Sequence, residues 1–145
     1  METNLCCHTL SCKMGFAVKG ILRQLRQRFE EEGLKLTLEQ YFILNILNNN
    51  EGLILQELAE IVERDKSAVL RLINGLEENH FVARNTDPDD KRRKILLVTK
   101  NGMQELEKAI ALDKEVNDTV TENIPQEKLE NIEQTVSEIY RSTIQ

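Results

Sequence analysis

The sequence predicts a mainly α-helical protein with one small β-hairpin. Of its 145 residues, 40% are hydrophobic and 30% charged, while only 4% are aromatic. This composition is typical of helix-rich soluble proteins rather than of β-sandwiches. Apolar residues recur at helical spacing along most of the chain, but the pattern changes to short extended runs between residues 81 and 98. The length fits one domain with a hydrophobic core.

Helices are predicted for the first half of the chain. A long first helix covers residues 16–29 and stops at the acidic run before Gly33. Thr37 and Gln40 form a capping box for a second helix of about 11 residues. A short third helix follows the apolar run at residues 53–55.

The pattern then gives a fourth helix, a hairpin and two more helices. Asp65 is expected to cap the fourth helix. Strands are predicted at residues 81–85 and 94–98 around a Pro-containing turn. Thr99 and Pro125 open the last two helices. Their inward positions are expected to be Met103, Leu106, Ile110 and Val116, then Leu129, Ile132, Val136, Ile139 and Tyr140.

Basic residues concentrate in the middle of a chain that is acidic overall. The formal net charge is -6, yet residues 64–100 hold nine basic and six acidic side chains. Four of the basic residues follow one another at residues 91–94. A sequence pI of about 5.1 counts against a nucleic-acid binder unless the cationic side chains converge locally. The position of this basic segment in the fold therefore matters more than the net charge.

Two short helices followed by a basic hairpin indicate a helix-turn-helix with a wing. Such a unit can place the exposed face of its second helix in the major groove, while the hairpin reaches the backbone or the minor groove. Arg92 and its neighbours would then meet phosphates or the negative potential of a narrow groove. The alternative is an ordinary solvated hairpin.

The stretch LQELAEIVERDKSAVLRLINGLEENHFVARNTDPDDKRRKILLVTKNG resembles the winged helix-turn-helix of MarR-type transcriptional regulators. The likeness rests on the Asp-x-Arg signature at residues 90–92, the following Leu-Val-Thr-x-x-Gly and the upstream LTLEQYFILNIL. It implies a winged domain at residues 37–99 and helical dimerisation regions at residues 14–36 and 100–145. Residues 1–13 are left as an N-terminal tail with a cysteine cluster.

The resemblance also implies function. It predicts a homodimer that binds double-stranded DNA at a pseudo-palindromic operator, usually as a repressor released by a small-molecule effector or by oxidation. No cofactor is implied. The positions that match the family's DNA contacts are Lys66, Ser67, Leu70 and Arg71 on the recognition helix and Asp90, Lys91, Arg92 and Arg93 in the wing.

Each of these positions has an expected role. Arg92 enters the minor groove and Asp90 helps to hold it, while Lys91 and Arg93 contact phosphates. Leu70 stands where relatives often have a hydroxyl residue, so it either touches a thymine methyl or packs. His80 replaces the glycine that usually ends the recognition helix, so a non-glycine residue at 79 or 80 must adopt the terminating conformation.

The N-terminal cysteines raise a separate hypothesis. Cys6, Cys7 and Cys12 with His8 could bind a soft metal, or one thiolate could sense peroxide. Some MarR relatives sense hydroperoxides through a cysteine near the start of the first helix, where Cys12 lies. The simpler interpretation is a set of incidental thiols. No metal site is predicted.

Other classes of function find less support in the sequence. The only histidines are His8 and His80, and there is no glycine-rich phosphate loop or scaffolded carboxylate pair, so an enzyme is not expected. A winged-helix protein-docking module is the main rival, because winged helices also serve that role. No apolar run approaches the ~20 residues that span a bilayer, so we expect a cytoplasmic protein.

Overall fold

A computed structural model describes residues 8–144. Within these residues the chain forms six helices and two strands. The elements are α1 Leu10–Glu31, α2 Leu38–Asn49, α3 Leu55–Ile61, α4 Lys66–Glu78, β1 Val82–Thr86, β2 Lys94–Val98, α5 Lys100–Thr121 and α6 Gln126–Thr143. The mainly helical prediction with one hairpin is confirmed.

Side-chain caps start three of these helices. The Thr37 hydroxyl accepts the backbone N–H of Gln40 while the Gln40 side chain accepts that of Thr37, so the predicted capping box is present. Thr99 caps α5 in the same way, through the N–H of Gly102. Thr9 accepts the N–H of Cys12 at 3.3 Å and starts α1.

Three details of the predicted elements differ from the structure. Because α1 begins at Leu10, Cys12 lies in its first turn rather than in a tail. Asp65 occupies the N-cap of α4, but its side chain makes no capping hydrogen bond. The first strand starts at Val82, since the backbone N–H of Phe81 is held by the carbonyl of Leu76 at 2.8 Å.

The core lies where α2, α3, α4 and the hairpin meet and continues between α1 and α5. Leu44, Leu58, Ile73, Leu76 and Leu106 are fully buried there. Tyr41 joins the two parts: its ring packs edge-on against Phe29 of α1, with ring centroids 5.5 Å apart. Its hydroxyl donates to a carboxylate oxygen of Asp113 on α5 at 2.6 Å.

Helix α6 buries none of its residues against the rest of the described chain. Its apolar residues Ile132, Val136 and Tyr140 are 43%, 43% and 65% exposed. Ile110 of α5, expected to face inward, is also exposed. The helical periodicity located these apolar faces. Within one chain Leu10 and Met14 of α1 lie beside Ile132 and Val136, but residues 8–144 leave much of both faces exposed.

Candidate nucleic-acid interface

Helix α4 shows two different faces. Val69, Ile73 and Leu76 are buried in the core, which fixes the helix against α3 and α2. Lys66, Ser67 and Arg71 are exposed on the opposite face. Leu70 lies half-buried between the two faces, so its side chain both packs and borders the surface. A helix with one buried apolar face and one exposed cationic face can be presented to a groove of DNA.

The end of α4 turns sharply into the hairpin. His80 has a φ of 60°, in the left-handed region, and takes the position that usually needs glycine. Its N–H donates to the carbonyl of Glu77 at 2.9 Å. The prediction that residue 79 or 80 ends the helix in this way is confirmed for His80.

The hairpin is a short wing with a structured tip. β1 and β2 pair antiparallel, with Val82 opposite Val98 and Thr86 opposite Lys94. At the tip, the Asp90 carboxylate accepts the backbone N–H of Arg92 at 2.9 Å. Asp90 therefore shapes the backbone that carries Arg92, while its expected role in holding the Arg92 side chain stays a prediction.

Four cationic side chains point into solvent from this part of the molecule. Lys66, Arg71, Lys91 and Arg92 are exposed. Among residues 8–144, no side chain lies within hydrogen-bonding or ion-pairing distance of any of these four cations. Because no partner has to be displaced, they can meet phosphates directly.

Arg93 differs from its neighbours in the wing. Its side chain is half-buried, and one guanidinium nitrogen donates to Glu57 of α3 at 3.0 Å. A second nitrogen lies 3.9 Å from the Asp87 carboxylate. The structure thus places Arg93 in contact with the protein, while Lys91 and Arg92 are left free of such contacts.

Arg84 of β1 is a further cation that sequence reasoning did not single out. Its guanidinium pairs with Glu77 and donates to the Asn74 amide oxygen at 2.8 Å. The contact ties the exposed side of α4 to the first strand of the wing. No sequence motif marks it, because the partners are seven and ten residues away in different elements.

The junction between the wing and α5 is unusually close. The Thr99 hydroxyl donates to the carbonyl of His80 at 2.5 Å, and the Thr99 N–H donates to the carbonyl of Phe81 at 3.0 Å. At Gly102 an added Cβ would lie 2.2 Å from that Phe81 oxygen. Glycine is therefore required here by close packing rather than by its backbone angle.

An open cleft of about 580 Å³ lies between α2, the wing and the start of α5. Apolar side chains form most of its wall, with Asn48 and Glu51 at one side. The residues that line it are Leu47, Asn48, Glu51, Gly52, Ile95, Leu96, Leu97, Val98 and Met103. Clefts of this size can accept a small organic molecule.

The predicted redox residues are only partly described. Cys12 is disulfide-bonded. Cys6 and Cys7 lie outside the described residues, and so do the sequence expectations placed on them. Among residues 8–144, no cluster of His, Cys, Asp or Glu side chains could hold a metal ion, and no helix there is long and apolar enough to cross a membrane.

Comparison with known proteins gives the family. Residues 36–94 match the family model described as MarR family. A transcriptional regulatory protein proposed for the hcr operon of Thauera aromatica is 38% identical over 66 residues, which span 46% of this chain and 40% of that protein. The HTH-type transcriptional regulator BilQ of Clostridium symbiosum is 31% identical over 71% of this chain and 70% of its own length.

Solved structures share the fold along nearly the whole chain. Apo MarR from E. coli superposes with a TM-score of 0.79 at 19% identity, covering 92% of this chain and 98% of that one. The S. aureus MepR–DNA complex superposes with a TM-score of 0.75 at 22% identity, covering 94% of this chain and 97% of that one. CouR from Rhodococcus jostii bound to p-coumaroyl-CoA superposes with a TM-score of 0.76 at 22% identity, covering 91% of this chain and 92% of that one. Together with the family model and the BilQ alignment, these matches show that the chain belongs to the MarR family of DNA-binding transcriptional regulators.

Proposed function

We propose that this chain is a homodimeric repressor that binds a pseudo-palindromic DNA operator through α4 and the wing. The observation that carries the proposal is the set of four exposed, unpaired cations on these two elements, Lys66, Arg71, Lys91 and Arg92. Their local concentration offsets the acidic net charge at the surface where DNA would lie. Arg92 is assigned to the minor groove, and Lys66, Ser67, Leu70 and Arg71 to the major groove.

The homodimer is supported by the exposed apolar faces. Ile132, Val136 and Tyr140 of α6 and Ile110 of α5 lie open on a single chain. Ile132, Val136 and Tyr140 recur every four residues and so form one exposed apolar stripe on α6, which a second copy would cover around a two-fold axis. The same axis would present two copies of α4 to successive half-sites of an operator.

The release of DNA is assigned to a small molecule or to oxidation. The apolar cleft between α2, the wing and α5 supports the first route, because a ligand there would contact both the wing and a dimerisation helix. The second route depends on Cys12, in the first turn of α1: its disulfide is the oxidised state of this route, and the reduced thiol is the state that would bind DNA and react with peroxide. Replacing Cys12 by Ser should abolish any peroxide sensitivity of DNA binding; unchanged sensitivity would remove the oxidation route.

Fluorescence anisotropy with DNA from upstream of the protein's own gene tests the central proposal. Wild-type protein should bind that DNA in preference to unrelated DNA, with affinity that falls steeply as salt rises. The double variant Arg71→Gln with Arg92→Gln should lose the specific complex. A matched control is Lys114→Gln with Lys128→Gln, which removes the same charge from exposed positions of α5 and α6.

The control variant should bind as the wild type does. A protein-docking winged helix would instead show no preference for any DNA at any salt concentration. Retention of the specific complex by the Arg71/Arg92 variant would refute the assigned contacts.

A further inference from the structure

Glu57 lies at a junction between α3 and the wing. One of its carboxylate oxygens accepts the backbone N–H of Ile54 at 3.0 Å, which caps the start of α3. The other accepts a guanidinium hydrogen of Arg93 at 3.0 Å. A single carboxylate thus contacts both the start of α3 and Arg93, the residue that leads from the wing tip into β2.

Arg93 in turn holds the tip together. Its carbonyl accepts the N–H of Asp87 at 2.9 Å, and its own N–H donates to the carbonyl of Asp90 at the same distance. Its Nε is buried without a hydrogen-bond partner among the described residues, and the Asp87 carboxylate lies 3.9 Å away. Arg93 is therefore the residue through which the tip, with Lys91 and Arg92, is attached to the helices.

We propose that Glu57 and Arg93 are a positioning pair that fixes the wing tip against α3 and so determines where Arg92 meets the DNA. This inference rests on the proposed function. It gives Arg93 a role other than the phosphate contact expected from the sequence, because its guanidinium is already occupied. The base of the wing is held separately, by the hydrogen bond from the Leu96 N–H to the Leu53 carbonyl at 2.8 Å.

The exposure of Glu57 and Arg93 indicates that the pair positions the wing tip rather than stabilising the fold. The two side chains are 40% and 41% exposed, and ion pairs at such sites contribute little to the free energy of unfolding. A fixed geometry still has value for binding, since a tip that is already placed loses less conformational entropy when it meets the groove.

The two roles of Arg93 predict opposite effects of neutralising Glu57. If Arg93 contacts phosphate, Glu57 only weakens that cation, so Glu57→Gln should leave DNA affinity unchanged or raise it. If the pair positions the wing, Glu57→Gln should lower affinity although it removes a negative charge near DNA. Gln keeps one oxygen to accept the Ile54 N–H, so the cap of α3 is retained.

The experiment compares four variants with the wild type by anisotropy on operator and unrelated DNA over a series of salt concentrations. The variants are Glu57→Gln, Arg93→Met, their double variant and Glu60→Gln. Glu60 lies on the same helix, is exposed and accepts a side-chain hydrogen bond from Gln56, so its variant controls for loss of one negative charge on α3.

The positioning pair predicts that Glu57→Gln and Arg93→Met each weaken operator binding about threefold and that the double variant is no weaker than the worse single one, as coupled residues behave. Glu57→Gln should leave the salt dependence as it is in the wild type. Equal or tighter binding by Glu57→Gln overturns the proposal. So does a loss confined to Arg93→Met with about one fewer counterion released, the sign of a phosphate contact.

Amide hydrogen exchange separates failure of this inference from failure of the proposed function. In the free protein, the amides of residues 87–93 should exchange faster in Glu57→Gln than in Glu60→Gln, whether or not the protein binds DNA. Equal exchange in the two variants would overturn the positioning pair. Absence of any specific DNA complex with the wild type would overturn the proposed function alone.

Discussion

The winged domain and helix α6 carry the same kind of helical apolar pattern but use it differently. In α4 the stripe is buried: Val69, Ile73 and Leu76 are each 0% exposed. In α6 the corresponding stripe is open, with Ile132 and Val136 both 43% exposed. Periodicity therefore encodes an apolar face but not its partner. The first face folds the chain, and we assign the second to its assembly.

The largest difference in unfolding free energy between the two kinds of apolar face should come from Ile73→Ala in the buried face of α4. Truncating this fully buried side chain leaves a cavity in the core, which costs roughly 2–5 kcal/mol of unfolding free energy. Urea unfolding at a fixed protein concentration measures the loss. Ile144→Ala, at a 62% exposed position beyond α6, is the control and should change the unfolding free energy by less than about 0.5 kcal/mol. A similar loss of unfolding free energy in both variants would mean that the buried stripe of α4 does not contribute more to folding than the exposed end of the chain.

Charges on the α6 face should separate the copies without unfolding them. Ile132→Glu with Val136→Glu places two carboxylates where an apolar contact is proposed, and the dimer dissociation constant should rise about a hundredfold. Sedimentation velocity measures the change in mass, and circular dichroism should show retained helix. Gln126→Glu with Gln134→Glu adds the same charge to polar positions of the helix and should leave the dimer intact. An unchanged mass for the first pair would remove α6 from the interface.

Two glycines distinguish close packing from simple helix propensity. Gly102→Ala forces a Cβ against the Phe81 carbonyl, and overpacking of this kind costs about 1–3 kcal/mol. Gly15→Ala, in α1, meets nothing within 4 Å and should stabilise the helix by about 1 kcal/mol. Thermal unfolding of the two variants should therefore shift in opposite directions. Equal shifts would mean that the wing and α5 are not held as closely as the structure shows.

Sequence and structure agree best where local chemistry decides the outcome. Thr37 and Thr99 were recognised as caps because a threonine hydroxyl just before a helix can accept one of the unpaired backbone N–H groups of its first turn. The helix end was placed at residue 79 or 80 because His80 stands where relatives usually have glycine, and His80 is the residue that adopts the left-handed conformation. The wing was predicted from extended runs around an Asp-Pro turn. Each of these signals lies within a few residues of the structure that it encodes.

Long-range contacts were not predictable in the same way. Glu57 and Arg93 are 36 residues apart, and Tyr41 and Asp113 are 72 apart. The Asp-x-Arg signature assigned Arg92 to the minor groove and left Arg93 with a phosphate contact, but no sequence pattern indicated that Arg93 pairs with Glu57. Only the packing of α3 against the wing shows that one guanidinium is held by the protein while its neighbour is exposed. The DNA contacts themselves remain predictions.

The smallest effect on stability concerns the hydrogen bond that links α2 of the winged domain to α5. The Tyr41 hydroxyl donates to Asp113, whose other oxygen accepts from Asn117 at 2.9 Å. Burial and this carboxylate raise the pKa of Tyr41 far above its usual range. Tyr41→Phe should cost about 1 kcal/mol at neutral pH, the net value of one hydrogen bond. Tyr140→Phe, at a 65% exposed position, should cost nothing measurable.

The raised pKa of Tyr41 also determines whether the free energy of unfolding rises or falls with pH. The folded protein keeps Tyr41 protonated, whereas the unfolded chain ionises near the ordinary tyrosine pKa of about 10. The contribution of this group is thus fully present below about pH 10 and is lost as the pH rises from there towards the folded-state pKa. Denaturant unfolding from pH 8 to 11 should show wild type and Tyr140→Phe losing stability at the alkaline end more steeply than Tyr41→Phe. Parallel curves for all three proteins would mean that Tyr41 does not hold α2 to α5 through a protonated hydroxyl. The winged domain would then be joined to α5 by apolar packing and by the backbone and hydroxyl hydrogen bonds at its ends, such as those of Thr99.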